Sequence, residues 1–192
     1  MKRRIFSHAG ILIIFLLLAL MGTVMLYEKR LSRTRASLPA LMVGDKVPKL
    51  PLTDGTGRFY STGYLRKTGL IFIFRRPCSP CNTNYNLWRQ MSRILRKRAP
   101  EVKIRGIVLN GKEGLQQFED SGSPGFPVCA PVEIQTFIRR FRIRLNLAQT
   151  LLVHHGRVRR LRIGELKGED YRHFIRESIR LAREPGEKEV HP

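Results

Sequence analysis

The residues most able to do chemistry are Cys78 and Cys81, spaced as Cys78-Ser79-Pro80-Cys81 in a chain of 192 residues. Two thiols at this spacing, placed at the start of a helix, can reach each other and close a disulfide. The first of them faces the unpaired N–H groups and the positive end of the helix, and both favour its thiolate. A thiolate attacks a disulfide sulfur in a partner, and the second thiol then resolves the mixed disulfide. On that logic Cys78 is the nucleophile and Cys81 the resolving thiol. Arg75 and Arg76 stand just upstream, and no carboxylate occurs between Asp54 and Glu101 to oppose their charge. Pro80 lacks an N–H and stiffens the turn.

The same spacing opens many zinc sites, which need four ligands in a tetrahedron. Only Cys129 and the histidines His8, His154, His155, His173 and His191 remain as candidates, with no second paired spacing, so no metal is expected. Cys129, in F-P-V-C-A-P, reads as a small buried residue rather than a third redox thiol. His154 and His155 read as surface residues at a hairpin tip.

The elements that must position the dithiol are legible around it. Gly69–Phe74 (G-L-I-F-I-F) reads as a buried central strand, ended by Arg75-Arg76-Pro77. Leu87, Trp88, Met91, Ile94 and Leu95 recur at helical spacing, with Arg89, Arg93, Arg96 and Lys97 on the remaining surface. The C-x-x-C therefore sits at a strand-to-helix turn. Downstream, Val102–Leu109 reads as a strand, Glu113–Phe118 as a short helix, and Gly122–Pro127 as a turn leading into an extended F-P-V-C. Ile134, Phe137, Ile138 and Phe141 mark an amphipathic helix. Thr150–Val153 and Arg157–Ile163 form a hairpin around His154-His155-Gly156. Tyr171, Phe174, Ile175 and Ile179 mark a final helix. Upstream, Gly44-Asp45 and Asp54-Gly55 signal turns between short extended pieces. Strands alternating with helices predict an α/β fold, a central sheet with helices on both faces.

Composition sets the frame. Lys and Arg number 36 against 15 Asp and Glu, a formal net charge of +21. A 42% hydrophobic content excludes a disordered chain, and three cysteines are too few for a disulfide scaffold. No charged residue falls between Arg4 and Glu28, and Ala9–Tyr27 is almost purely apolar, close to the roughly 20 residues a membrane-spanning helix needs. Cleaved signal peptides have apolar runs of only about 7–15 residues and end at a small-x-small site. This run ends in Y-E-K-R. The expected organisation is a basic segment (1–8), a transmembrane anchor (9–27), a basic tether (28–40), a globular domain (41–184) and a flexible tail (185–192). Lys2, Arg3 and Arg4 nearly balance Lys29, Arg30, Arg33 and Arg35, so charge alone does not set the orientation. The Arg-rich surface suits an anionic lipid or an acidic partner surface. Nucleic acid is not expected, because no groove-reading motif accompanies the charge.

From Leu41 to Ala182 the sequence resembles the membrane-anchored thioredoxin-like proteins of the TlpA/ResA type, thiol–disulfide oxidoreductases of bacterial envelopes. The resemblance rests on V-G-D-K-V-P-K-L-P-L-T-D-G-T-G, on G-L-I-F-I-F followed by C-S-P-C, on G-F-P-V, and on T-L-L-V-H-H-G-R-V. It implies a thioredoxin-like fold with a central strand–helix insertion, preceded by the N-terminal transmembrane helix and lying outside the cytoplasm, on the periplasmic side. It also implies a redox-active Cys78–Cys81 disulfide with no other cofactor, disulfide-bearing envelope proteins as partners, and a task such as cytochrome c maturation. Four positions depart from the family pattern. Arg75, Arg76 and Pro77 stand where a Trp is usual, and Asn84 where many members have Glu. Phe72 replaces a buried acid that helps deprotonate the second thiol. Ala148 falls where the family has a cis-proline that orients the incoming substrate. Two functions follow: an exchanging oxidoreductase, or a non-catalytic thioredoxin-fold module that holds a metal ion or partner.

Overall fold

A segment such as G-L-I-F-I-F has no polar side to turn towards water, so it must be covered on both faces. In the computed structural model it is. The structure describes residues 13–14, 16–27, 41–65, 67–75, 79–120, 125–144 and 147–184, with backbone alone at 64–65, 79–82 and 117–120. The strands are β1 (Pro51–Thr53), β2 (Phe59–Ser61), β3 (Thr68–Phe74), β4 (Lys103–Val108), β5 (Val128–Pro131), β6 (Gln149–His154) and β7 (Arg157–Ile163). The helices are α1 (Ser79–Arg98), α2 (Gly111–Asp120), α3 (Ile134–Phe141) and α4 (Gly168–Arg183). The strands form one mixed sheet in the order β2-β1-β5-β4-β3-β6-β7. β4 runs parallel to both β3 and β5, and the remaining pairings are antiparallel.

Alternate residues of β3 go to opposite faces, as the two-residue period of a strand requires. Leu70, Phe72 and Phe74 pack with Trp88, Met91 and Leu95 of α1 and with Phe174, Ile175 and Leu181 of α4. Ile71 and Ile73 pack with Phe137 and Phe141 of α3 and with Leu151 and Val153 of β6. Helices thus cover both faces, as the alternating pattern predicted. Gly106 in β4 leaves room for Phe126, since a Cβ there would lie 2.8 Å from its ring. Phe126 in turn packs edge-on against Phe72, with centroids 5.0 Å apart.

The chain divides into two units, 1–39 and 40–192. In the first, residues 13–14 and 16–27 are helical. Among the described residues no helix is long and apolar enough to cross a membrane. The rest of the predicted anchor, at 9–12 and 15, lies outside the described residues, as do the basic segments 1–8 and 28–40 and the tail 185–192.

The β6–β7 hairpin corrects one expectation. Its turn is only His155-Gly156, both at positive φ (49° and 71°), the pairing that a tight two-residue hairpin favours. His154 is not at the tip. It continues β6 opposite Thr68, is buried, and its Nδ1 lies 2.9 Å from the Thr68 hydroxyl. Burial and the neighbouring His155 hold its pKa below the ordinary 6.5, outweighing Glu184, whose carboxylate lies 3.5 Å from Nε2. The folded chain therefore favours the neutral ring more than the unfolded chain does. That contribution to stability is fully present above pH 6.5 and is lost as the pH falls towards and through the lowered value. The melting temperature should drop between pH 7 and 5, and His154→Asn should flatten that slope. Equal slopes for the two proteins would contradict the assignment.

Candidate functional site at the start of helix α1

β3 ends at Phe74 and the exposed Arg75 follows it. Arg76, Pro77 and Cys78 lie outside the described residues. α1 begins at the next residue, Ser79, so Pro80 falls in the first turn, where its missing N–H costs no helical hydrogen bond. Cys81 is the third residue of the helix. The C-S-P-C thus spans the junction between the central strand and the longest helix of the domain, as its flanking patterns predicted.

The register of α1 on the sheet is set by Trp88. Its indole stacks on Phe72 (centroids 4.9 Å apart, 16° between planes) and leans on Phe74 at 5.5 Å. Its Nε1–H donates to the buried Thr150 hydroxyl of β6 at 2.9 Å. Asn84, one turn nearer the dithiol, is fully buried. Its Nδ2 donates to the Gly164 carbonyl at 2.8 Å, and its Oδ1 accepts from the Leu166 N–H at 2.7 Å. Ala148, buried directly ahead of β6, accepts from the Gly164 N–H at 2.7 Å. Gly164, at φ 89°, is therefore the point where the start of β6 and the front half of α1 are joined.

Three of the positions singled out in the sequence are brought together here. Phe72, Trp88 and Ala148 share one apolar cluster, so no titratable group stands at Phe72 or Ala148. Asn84 read in the sequence only as the place of a missing Glu. In the structure it is a clasp. The signal was present: Asn84, Trp88, Met91 and Leu95 lie on one helical stripe, and a polar residue on a buried stripe must find hydrogen-bond partners.

Cys129 lies in the other cluster, with Ile71 and Ile73, and is buried as expected. Burial raises its pKa, against the nearby Arg105, whose Nη1 donates to Sγ at 3.4 Å. Arg105 also sits 4.6 Å above the Tyr60 ring, and the Tyr60 hydroxyl donates to Asp54 at 2.8 Å. Burial works to raise the Asp54 pKa, but hydrogen bonds from Thr56, Tyr60 and Arg58 prevail and lower it to about 2. Among the described residues no group of three or more His, Cys, Asp or Glu side chains could hold a metal ion.

No protein-family model matches the sequence, and no curated protein does. Solved structures do match in shape. One is a thiol:disulfide interchange protein of the thioredoxin family from Chlorobium tepidum, 17% identical, with a TM-score of 0.57 over 73% of this chain and 99% of that one. A second is the thioredoxin domain of a thiol-disulfide oxidoreductase from Bacteroides vulgatus, 15% identical, with a TM-score of 0.61 over 73% and 99%. A third is a thiol:disulfide interchange protein from Bacteroides sp., 16% identical, with a TM-score of 0.61 over 79% and 99%. The chain has the thioredoxin-like fold. In that fold α1 is the helix that follows the central strand, and this chain places its only C-x-x-C at its start.

The Asn84 clasp yields a direct test. Asn84→Ala leaves the Gly164 carbonyl and the Leu166 N–H without their side-chain partner, at about 1–3 kcal/mol for each buried group left unpaired. The expected loss in denaturant unfolding is roughly 2–6 kcal/mol. A variant as stable as the parent would show that the clasp does not hold the junction.

Proposed function

We propose that the chain is a membrane-anchored thiol–disulfide oxidoreductase that reduces or exchanges disulfides in proteins of the bacterial cell envelope. The observation that carries this reading is the C-S-P-C at the β3–α1 junction of a thioredoxin-like fold whose solved counterparts are named as thiol:disulfide interchange proteins. Residues 9–27 would hold it in the membrane, with the domain on the periplasmic side, serving cytochrome c maturation or a related task. Alkaline carbonate should then leave the full-length chain with the membranes, and its release would refute the anchor.

The exchange balances as follows. The Cys78 thiolate attacks one sulfur of a partner disulfide, that S–S bond breaks, and the partner's other sulfur leaves as a thiolate. The Cys81 thiol then loses its proton and attacks the Cys78 sulfur, which releases the second partner thiol and closes the Cys78–Cys81 disulfide. Two electrons pass from the dithiol to the partner, and the reverse sequence oxidises a partner dithiol. Arg75 and Arg76 favour the Cys78 thiolate. For Cys81, among the described residues, Phe72 cannot accept a proton and the Asn84 amide is committed to Gly164 and Leu166. The Cys81 proton passes to solvent, so resolution is the slow half of the reaction.

A second reading is favoured by Ala148. With no proline there to orient a substrate backbone, the fold could hold a partner protein or a metal ion without turnover. Thiol chemistry separates the two readings. Cys78 should alkylate with iodoacetamide well below the ordinary thiol pKa of about 8.5, and Cys81 slowly. Cys81→Ser should trap a mixed disulfide through Cys78, and Cys78→Ser should abolish exchange. If Cys81 alkylates faster, or both thiols stay inert until the protein unfolds, the binding module takes the place of the oxidoreductase.

A further inference from the structure

The stretch between Asp54 and Glu101 holds no carboxylate but ten Lys and Arg residues. Half of these lie on α1: Arg89, Arg93, Arg96, Lys97 and Arg98, all exposed. Four of the domain's acids pair elsewhere. Asp45 pairs with Arg142, Glu177 with Arg160, Asp170 with Arg162 and Glu184 with Arg180. Among the described residues, none of the five α1 cations forms an ion pair. Their polar and ring contacts are with neutral groups: Arg96 donates to the Gly125 carbonyl at 2.6 Å, and the Arg89 guanidinium lies 5.9 Å from the Tyr85 ring.

The spacing of these cations is specific. Starting from Cys81, the i+4 row of the helix runs Tyr85, Arg89, Arg93, Lys97. Side chains four apart are neighbours on a helix surface, so like charges along this row repel one another. The repulsion does nothing for the fold. It is relieved when an anionic chain lies along the row. At a rise of about 1.5 Å per residue, Arg89 lies roughly 12 Å and Lys97 roughly 24 Å along the axis from Cys81. An extended chain advancing about 3.3 Å per residue covers that interval between about its fourth and seventh residue.

We propose that the row Arg89–Arg93–Lys97 docks an acidic segment of the protein whose disulfide the C-S-P-C exchanges, with carboxylates about four to seven residues from the partner's reactive cysteine. The proposal rests on the oxidoreductase reading and adds the partner's chemistry to it. A polypeptide is the occupant because the row lies on the helix that opens with the dithiol, where the partner's own cysteine must arrive to meet Cys78. A flat anionic membrane would be met equally well by the exposed Arg139, Arg140 and Arg144 of α3 and the segment that follows it.

The test uses the reduced full-length protein in neutral detergent and two synthetic peptides. Each carries one cysteine in mixed disulfide with a chromophoric thiol. One has Glu at positions four to seven on both sides of the cysteine, and the other has Gln there. At low salt the Glu peptide should release its chromophore roughly tenfold faster or more, and that preference should shrink with salt. Arg89→Gln/Arg93→Gln/Lys97→Gln should abolish the preference and leave the Gln-peptide rate unchanged. Arg139→Gln/Arg140→Gln/Arg144→Gln removes the same charge elsewhere and should keep it. Equal rates for the two peptides, or equal losses in the two triple variants, would overturn the docking row. So would a row variant that loses binding to phosphatidylglycerol vesicles but keeps the peptide preference. Anisotropy with Cys→Ser peptides separates the two claims. If the Glu peptide binds through the row and neither cysteine peptide reacts, the oxidoreductase reading fails and the surface stands.

Discussion

The fold depends on how Trp88 seats α1 on the central strand. Phe72 and Phe74 offer a flat apolar surface, the indole lies on it, and its one polar atom is satisfied by Thr150 of the neighbouring strand. Burial of an aromatic of this size contributes area, while the hydrogen bond contributes register, since a slip of the helix would leave the N–H unpaired in an apolar core. The Asn84 clasp does the same for the front of the helix. Together they fix how α1, which begins one residue after Cys78 in the sequence, lies on the sheet.

The same packing removes what a dithiol would otherwise use. The position facing the indole is Phe72, and Asn84 spends both ends of its amide on the backbone of 164–166. Neither Phe72 nor Asn84 is therefore free to take a proton. The second half of α1 is left positive: Asp45, Asp170, Glu177 and Glu184 pair with Arg142, Arg162, Arg160 and Arg180, and among the described residues none of the five α1 cations forms an ion pair.

Local patterns were legible in the sequence and long-range pairings were not. Ile134, Phe137, Ile138 and Phe141 predicted a helix at 134–141, and it is there, because helical spacing is a property of neighbours. The strand at 68–74 and the helix after it were legible for the same reason. His154 was misread because its burial depends on Thr68, 86 positions away, across a strand pairing that no local pattern encodes. Asn84 was read as an absence because its partners are 80 and 82 positions distant. The β1–β2 hairpin was visible as turns and short extended pieces but not as a pairing, since three-residue strands carry almost no periodicity.

The claim on which the account stands is that Cys78 and Cys81 form a reversible two-electron couple in the folded protein. Equilibration of the full-length chain across graded ratios of reduced to oxidised glutathione, followed by acid quenching, alkylation and peptide mass spectrometry, reads it directly. The account predicts a single transition in which the Cys78–Cys81 disulfide replaces the dithiol while Cys129 stays a thiol throughout. Absence of a Cys78–Cys81 disulfide at every ratio, or its formation only after the protein has unfolded, would contradict it.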